Sequence, residues 1–300
     1  MLNKIYLKLL NVAKSFIKSP FDSARHLVAD AKKDFNSSKN LSKVNLVWCA
    51  GLPKSGTTLI EEIFENLPYV RLNNSLIRNF TPGKLDHEHG ISELMFSNIP
   101  QTKYTFIKTH SHYDIKYENI AKKYNAKIII STRDIRDMLI SRYYHIFYDK
   151  KHWLHERIKN LPFEEGFLIS LKEKSKPNLD EPIKYYYNWI NDWLNISNER
   201  NYLVLWYEEY LINPITYINK ILKYINFTNH SAADIEDKLK RRRDKMPSFE
   251  KSINKYGRLK STYREGKSKT WKIKFNDKIN EFFYKNLPQS IDKVTFKENE

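Results

Sequence analysis

Short apolar runs alternate with stretches of helical periodicity along most of the chain. Runs typical of buried strands cover Val44–Ala50, Tyr104–Lys108, Ala126–Thr132 and Tyr202–Tyr207. Apolar residues at helical spacing predict helices over Thr58–Asn66, Ile135–Tyr148 and Ile215–Ile225. Because strands that alternate with helices build a covered parallel sheet, the pattern predicts an α/β fold, a central parallel β-sheet flanked by helices on both faces.

The N-terminal residues follow a different pattern. Apolar side chains recur at helical spacing, at Leu2, Ile5, Leu9, Val12 and Phe16, with lysines on the flanks. This predicts a basic amphipathic helical extension over residues 1–43 and one domain over residues 44–300. Such a helix packs on its own domain or a partner, or it lies on an anionic membrane surface through residues 1–20. The sequence leaves both alternatives open.

The net charge and the single cysteine limit the kinds of ligand and metal site that the protein can have. The 300 residues carry a formal net charge of +17, which attracts nucleotides, nucleic acids, acidic glycans or anionic lipids. Cys49 is the only cysteine, so intrachain disulfides and cysteine metal clusters are excluded, and its strand position predicts a buried apolar residue. No apolar run is long enough to span a membrane and no signal peptide is evident. We therefore expect a cytoplasmic protein, peripheral at most to an anionic membrane surface.

The segment Pro53-Lys-Ser-Gly-Thr-Thr58 joins the first predicted strand to a helix. Backbone N–H groups at such a junction bind phosphate or a similar oxyanion. Gly51 and Gly56 have the spacing of an ATP-binding P-loop, but position 57 is Thr, and Lys54 precedes the second glycine. This arrangement argues against an ordinary ATPase or nucleotide kinase, which remains an alternative that would also need a carboxylate for Mg²⁺.

This loop resembles the phosphosulfate-binding loop of the sulfotransferases of the cytosolic type. The resemblance implies a P-loop-like sulfotransferase fold and 3′-phosphoadenosine 5′-phosphosulfate (PAPS) as donor, with no metal. It implies direct in-line transfer of a sulfuryl group to an acceptor hydroxyl or amine. The loop residues that would wrap the 5′-phosphosulfate are Lys54, Ser55, Gly56, Thr57 and Thr58.

A second motif, Ser131-Thr-Arg-Asp-Ile-Arg-Asp-Met-Leu-Ile-Ser-Arg-Tyr-Tyr-His145, leaves a strand and enters a helix, and its end, Tyr143-Tyr-His145, matches the usual continuation in the sulfotransferases. The resemblance implies that Arg133 and Ser141 bind the 3′-phosphate of the donor. Because Ser141 lies about 10 Å along the helix, the phosphate should lie beside the helix. The planar fork of an arginine suits this role.

A third motif, Phe106-Ile-Lys-Thr-His-Ser-His112, ends the next strand. The resemblance implies that His110 is the general base, and that Lys108 and Lys54 stabilise the transferring group. A neutral imidazole takes the proton of the acceptor as the new bond forms, since an alcohol alone is a poor nucleophile. His112 lies on the same side as His110 if the strand continues.

Three further segments complete the resemblance, which runs from Val44 to Phe275. Tyr263-Arg-Glu-Gly-Lys-Ser-Lys-Thr-Trp-Lys272 matches the loop that holds the 3′-phosphate at Arg264, Gly266, Trp271 and Lys272. The resemblance places Arg264, Glu265 and Gly266 at the donor. Tyr207 and Phe249 match residues that border the adenine. Departures from the family pattern are Leu59, Glu265, Lys269 and Thr270. Leu59 removes an aromatic wall, Glu265 adds an acid beside the phosphate, and the loss of a glycine at Lys269 stiffens the loop.

The acceptor stays open at this point. Segments rich in aromatic residues suit a phenol, a glycan or a lipid that carries a hydroxyl group. A non-enzymatic alternative is a basic membrane- or nucleic-acid-binding protein that uses Arg241-Arg-Arg243 on an inactive fold. Such charge runs usually form solvated faces, and we expect no specific nucleic-acid partner.

Overall fold

The computed structural model describes most of the chain beyond its N-terminal extension. The described residues are 46–68, 70–72, 91–97, 104–174, 177, 180–200, 202–227, 229–247, 250–254, 256–257, 259, 266–287 and 291–297. The predicted extension over residues 1–43 lies outside them, as do Phe249, Arg264 and Glu265. The chain divides into two compact units, Met1–Ala50 with Glu61–Ile128, and Gly51–Ile60 with Ile129–Glu300.

The first unit is built on three parallel strands. These are β1 (Leu46–Gly51), β2 (Val70–Leu72) and β3 (Tyr104–Thr109). The unit also holds the part of helix α1 (Thr57–Glu65) from Glu61 onward, together with helices α2 (Glu93–Ser97) and α3 (Ile115–Lys123). β3 pairs in parallel with both other strands, and Ala50 lies opposite Thr109. The chain therefore leaves β1 and β3 at the same edge of the sheet.

The second unit holds the remaining strands and most of the helices. Strands β4 (Lys127–Thr132) and β5 (Leu203–Trp206) pair in parallel. The helices are α4 (Ile135–Tyr148), α5 (His155–Ile158), α6 (Phe163–Lys172), α7 (Pro182–Arg200), α8 (Tyr207–Ile212), α9 (Pro214–Tyr224), α10 (Ala232–Arg243), α11 (Trp271–Lys274) and α12 (Asp277–Asn286). Single 3₁₀ turns cover Glu250–Ser252 and Ile291–Val294.

The described strands pair in parallel within each unit, in the order β2-β3-β1 in the first and β4-β5 in the second. The predicted fold class, a parallel sheet flanked by helices, is confirmed. None of the described helices combines the length and hydrophobicity that a membrane span requires.

Two element boundaries change what was expected for candidate site residues. The strand predicted over Tyr202–Tyr207 is shorter, and Tyr207 begins α8. Glu208 and Glu209 fall in the first turn of α8, where carboxylates stabilise the positive end of the helix dipole. β3 ends at Thr109, so the condition that would place His112 on the side of His110 is not met.

Side chains of the first unit form an apolar core beneath the sheet. Phe64 of α1 stacks on Phe106 of β3 with ring centroids 4.4 Å apart, and both rings are buried. Trp48 is fully buried in β1, and its Nε1–H donates to Thr109 Oγ1 at 2.9 Å, so its polar atom is satisfied. Cys49 is buried as predicted, and burial raises the pKa of its thiol to about 12.

Replacing the buried Phe106 with alanine tests this core. We expect Phe106→Ala to lower the free energy of unfolding by about 3–5 kcal/mol, because it deletes a buried aromatic ring and leaves a cavity. Ile115→Ala is the control: its side chain is 52% exposed, and the change should stay within about 0.5 kcal/mol. Urea denaturation followed by tryptophan fluorescence measures both. Equal losses in the two variants would contradict this description of the core.

Candidate active site

A tight loop, Leu52–Gly56, joins β1 to α1. The Ser55 N–H and the Ser55 hydroxyl both donate to the Leu52 carbonyl oxygen, at 3.2 and 2.7 Å. Two loop residues have left-handed backbone, Lys54 with φ 76° and Gly56 with φ 94°. A lysine adopts this conformation only where the surrounding structure holds it there. Helix α1 begins at Thr57, so the N–H groups of its first turn, including that of Thr58, have no partners further back in the helix.

Glycines are required at both ends of this turn because neighbouring atoms fill the space of a Cβ. A Cβ at Gly51 would lie 2.4 Å from Thr57 Cγ2 and 2.7 Å from Ser131 Cβ. A Cβ at Gly56 would lie 2.8 Å from Cδ2 of Tyr207. The ring of Tyr207 therefore covers the backbone of Gly56, and no larger residue fits there without displacing it.

Ser131 of β4 fastens the loop from a neighbouring strand. Its hydroxyl donates to the Ser55 carbonyl oxygen at 3.0 Å, and the two hydroxyl oxygens lie 3.3 Å apart. Both serines are fully buried. Sequence reasoning assigned no role to Ser131, although a serine after three isoleucines is a usable signal, since a buried hydroxyl needs a partner.

Arg133 follows β4 directly and is buried, with 7% of its surface exposed. Its Nη2 donates to the Lys267 carbonyl oxygen at 2.8 Å, and its Nε lies 3.8 Å from Oε1 of Glu208. The guanidinium carbon lies 4.8 Å from the ring centroid of Tyr207. The structure thus brings Arg133, Tyr207 and the loop at Gly56 together.

Two polar atoms of this cluster lack hydrogen-bond partners, Nε of Arg133 and Oε2 of Glu208. Burial raises the pKa of Glu208 to about 7, although the positive charge of Arg133 opposes the shift. A buried N–H without an acceptor is unfavourable, and an anionic oxygen would satisfy it with a charge-assisted hydrogen bond. The residues present therefore fit a phosphate group beside Arg133.

Ser141 and His145 lie one turn apart on α4 and share a face of the helix. Ser141 is buried, and Nδ1 of His145 is buried with no hydrogen-bond partner. Burial, together with the positive charge of Lys54, lowers the pKa of His145 to about 3. His145 is therefore a neutral imidazole near the loop lysine. His145 is the last residue of the second sequence motif, but the sequence assigned it no role of its own.

Asp137, in the first turn of α4, holds the C-terminal loop that contains Gly266. Its two carboxylate oxygens accept the N–H groups of Lys269 and Trp271, at 2.5 and 3.0 Å. The loop thereby presents the Lys267 carbonyl oxygen to Arg133. Sequence reasoning missed Asp137, because its partners lie more than 130 residues further along the chain.

The loop keeps a glycine-like conformation at a position where the chain has no glycine. Gly266 has φ 63° and Lys269 has φ 59°, both in the left-handed region. The family pattern has its second glycine at the position of Lys269. The bond from the Lys269 N–H to Asp137 contributes to holding a lysine in this strained conformation.

Arg136 closes the outer side of this loop. Its guanidinium carbon lies 3.6 Å from the ring centroid of Trp271, and its Nε donates to Asp134 Oδ1 at 2.9 Å. A cavity of about 230 Å³ lies here, lined by Asp134, Arg136, Asp137, Glu208, Ser268, Lys269, Trp271, Lys272 and Phe296. The lining combines three basic side chains with three acidic ones.

Lys108 and His110 belong to the first unit, at the end of β3. Lys108 forms an ion pair with Glu61 of α1, and their side chains are 19% and 21% exposed. His110 is partly buried and follows the strand. Its neighbours Thr109 and Ser111 are buried and share a hydrogen bond of 2.9 Å between their hydroxyl groups. Sequence reasoning missed the Glu61 partner.

Most of the residues that the sequence predicts to bind the donor therefore lie in the second unit. The loop from Lys54 to Thr58, Arg133, Tyr207 and the Gly266 segment are linked by the contacts above, and Ser141 lies on the adjoining helix. The predicted contributions of Phe249, Arg264 and Glu265 fall outside the described residues. In the described part of the chain, no cluster of three or more His, Cys, Asp or Glu side chains could hold a metal ion.

Solved structures with a similar backbone include two sulfotransferases and a retinol dehydratase. Mouse sulfotransferase SULT7A1, complexed with PAP, has a TM-score of 0.55 at 19% identity over 80% of this chain and 82% of that chain. A retinol dehydratase in complex with retinol and PAP has a TM-score of 0.46 at 18% identity, over 83% and 81%. A sulfotransferase from Alicyclobacillus acidocaldarius has a TM-score of 0.41 at 16% identity, over 66% and 90%. At such identities the mouse enzyme supports the fold alone.

Sequence comparison assigns the family. No curated protein sequence matches the chain significantly. The sulfotransferase domain family, by contrast, matches residues 45–295, a span that contains the phosphate loop, Arg133, the end of β3 and the C-terminal loop. The chain belongs to the sulfotransferase domain family.

Proposed function

We propose that the protein transfers a sulfuryl group from PAPS to a hydroxyl or amine group of an acceptor. Family membership supports the reaction class. The observation that carries the proposal for this chain is Arg133, a buried guanidinium with an unpartnered Nε beside Tyr207 and the phosphate loop. This arrangement suits the 3′-phosphate that distinguishes the donor from AMP.

Donor binding would use the second unit. In the proposal, the start of α1 and Lys54 hold the 5′-phosphosulfate, while Arg133, Ser141 and the Gly266 segment hold the 3′-phosphate. Positive dipole ends of helices and fixed guanidinium groups favour such anions. Tyr207 would border the adenine; its ring lies against Gly56 and near Arg133, which supports that role. Phe249, Arg264 and Glu265 stay sequence-based predictions for the same site.

The transfer step would use the end of β3. PAPS supplies an activated sulfuryl group on a phosphate leaving group. His110 would accept the proton of the acceptor hydroxyl, and Lys108 and Lys54 would donate to the oxygens that carry negative charge. The register of β1 and β3 supports this assignment, since Ala50 and Thr109 pair directly before the phosphate loop and His110.

The acceptor class follows from the same chemistry. A histidine base suits a hydroxyl of a phenol, a glycan or a lipid, because each must lose a proton as it attacks. Two sequence-based predictions stand beside this proposal: a domain boundary near residue 43, and peripheral contact of residues 1–20 with an anionic membrane. An acceptor bound to a membrane would agree with that contact.

Donor binding is tested by titrating the protein with 3′-phosphoadenosine 5′-phosphate (PAP) in a calorimeter. We expect PAP to bind more tightly than AMP, and Arg133→Ala to weaken PAP binding by about 10- to 100-fold through the loss of charge-assisted hydrogen bonds. Arg241→Ala removes the same charge from a side chain that is 75% exposed and should leave affinity unchanged. If the alanine variant unfolds, Arg133→Lys replaces it in the titration, because lysine keeps the positive charge but lacks the planar guanidinium group. PAP binding no tighter than AMP binding would refute the proposal.

The base assignment is tested separately. His110→Gln should lower turnover by about 10²- to 10⁴-fold, because the acceptor proton loses its base, while PAP affinity stays the same. PAP release from PAPS, measured with a panel of phenols, glycans and lipid alcohols, gives the rate. His112→Gln is the matched variant two residues further on. If it removed activity while His110→Gln did not, His112 would be the base instead.

A further inference from the structure

The ion pair between Glu61 and Lys108 is a feature that the reaction scheme above leaves unexplained. Glu61 lies in the middle of α1, the helix that follows the phosphate loop, and Lys108 is the penultimate residue of β3. Oε2 of Glu61 contacts Nζ of Lys108, across 47 residues of sequence. With side-chain exposures near one fifth, both groups are largely removed from water yet remain accessible from the surface.

Lys108 needs such a partner because of where it sits. In the parallel ladder it lies opposite Cys49, which is fully buried. Burial raises the pKa of Cys49 to about 12, and the charges of Lys108 and Glu61 act on that thiol in opposite directions. A single ammonium beside an apolar strand is unfavourable, and a flexible lysine without a partner would turn toward water.

The neighbouring residue, Thr109, is held from the opposite face of the sheet, since side chains alternate along a strand. Trp48 Nε1 donates to Thr109 Oγ1, and the Thr109 hydroxyl is bonded in turn to that of Ser111. These three residues are buried, and Thr109 and Ser111 flank His110 in sequence. These bonds restrain the backbone beside Lys108 but do not reach its ammonium group, which Glu61 contacts from α1.

We propose that Glu61 is a positioning residue that holds the Lys108 ammonium in one place at the end of β3, ready to donate to the sulfuryl oxygens. An ammonium carries three N–H donors, so one lysine can donate to a carboxylate and to a sulfuryl oxygen at the same time. The inference rests on the proposed function, in which Lys108 stabilises that group. Glu61 itself touches no reacting atom.

Lysine labelling in the ligand-free protein tests the positioning directly. Acetic anhydride acylates accessible amines, and mass spectrometry gives the rate for each lysine. In Glu61→Ala we expect Lys108 to react several-fold faster than in the wild type, while the exposed Lys116 serves as internal reference. Glu65→Ala, one turn further along α1, is the control and should leave the Lys108 rate unchanged. An unchanged Lys108 rate in Glu61→Ala would overturn the inference.

A double-mutant cycle tests the consequence for turnover. Glu61→Ala should lower kcat by about 10- to 100-fold, because Lys108 is misplaced, without changing PAP affinity. In a Lys108→Met background the same substitution should have no further effect, which a merely structural role would not produce. Glu61→Gln keeps an oxygen for the ammonium and should restore part of the activity. Equal losses in both backgrounds, or loss of PAP binding, would overturn the positioning role.

The outcomes separate the two proposals. Wild-type protein that binds PAP and turns over PAPS, with additive Glu61 and Lys108 effects, would leave the proposed function intact and remove only the inference. Wild-type protein that neither prefers PAP over AMP nor releases PAP would overturn the proposed function and the inference with it.

Discussion

The carboxylate of Asp137 fixes the C-terminal loop against the first turn of α4, and the second unit's site depends on that attachment. By accepting the N–H groups of Lys269 and Trp271, it sets the path of a segment that has almost no regular structure. The Lys267 carbonyl oxygen then meets Arg133, and Trp271 meets Arg136. Two backbone hydrogen bonds to the Asp137 carboxylate thus position a loop that lies more than 130 residues further along the chain.

Carboxylates accompany the cations assigned to donor binding and transfer in each unit. Arg133 lies near Glu208, and Lys108 is paired with Glu61. Without ligand, these carboxylates balance charges that would otherwise be buried alone, which keeps the cations in place. The net charge of +17 is therefore carried largely by other lysines and arginines, which attract anions to the surface. Attraction and binding are thus divided between different residues.

Local sequence signals predicted strands β1, β3, β4 and β5, helices α1, α4 and α9, and the residues next to strand ends, but neither β2 nor the other described helices. Helix α4 matches its prediction from Ile135 to Tyr148, since its apolar spacing and the Asp134 N-cap are both local. Tyr207 was misplaced in a strand because its aromatic ring fits strand and helix patterns alike. Partners at long range could not be predicted, because nothing near Glu61 or Asp137 in sequence indicates which N–H group or ammonium will approach it.

The conformation of Lys269 also depends on a contact that local sequence does not predict. A missing glycine indicated a stiffer loop, and the structure retains the left-handed backbone at that position. Whether a residue keeps such a conformation depends on the tertiary bonds made by its own N–H, here to Asp137. Sequence can flag the substitution, but the compensating contact comes from a different part of the chain.

The burial of Cys49 makes the chain convenient for spectroscopic work. A thiol with no exposed surface and a pKa near 12 forms almost no thiolate at neutral pH, and thiolate is the form that reacts with maleimides and spin labels. Because Cys49 is the only cysteine, a second cysteine placed on the surface would be the single reactive thiol in the protein. Local motions at the rim of the site can therefore be followed with one label in an otherwise native sequence.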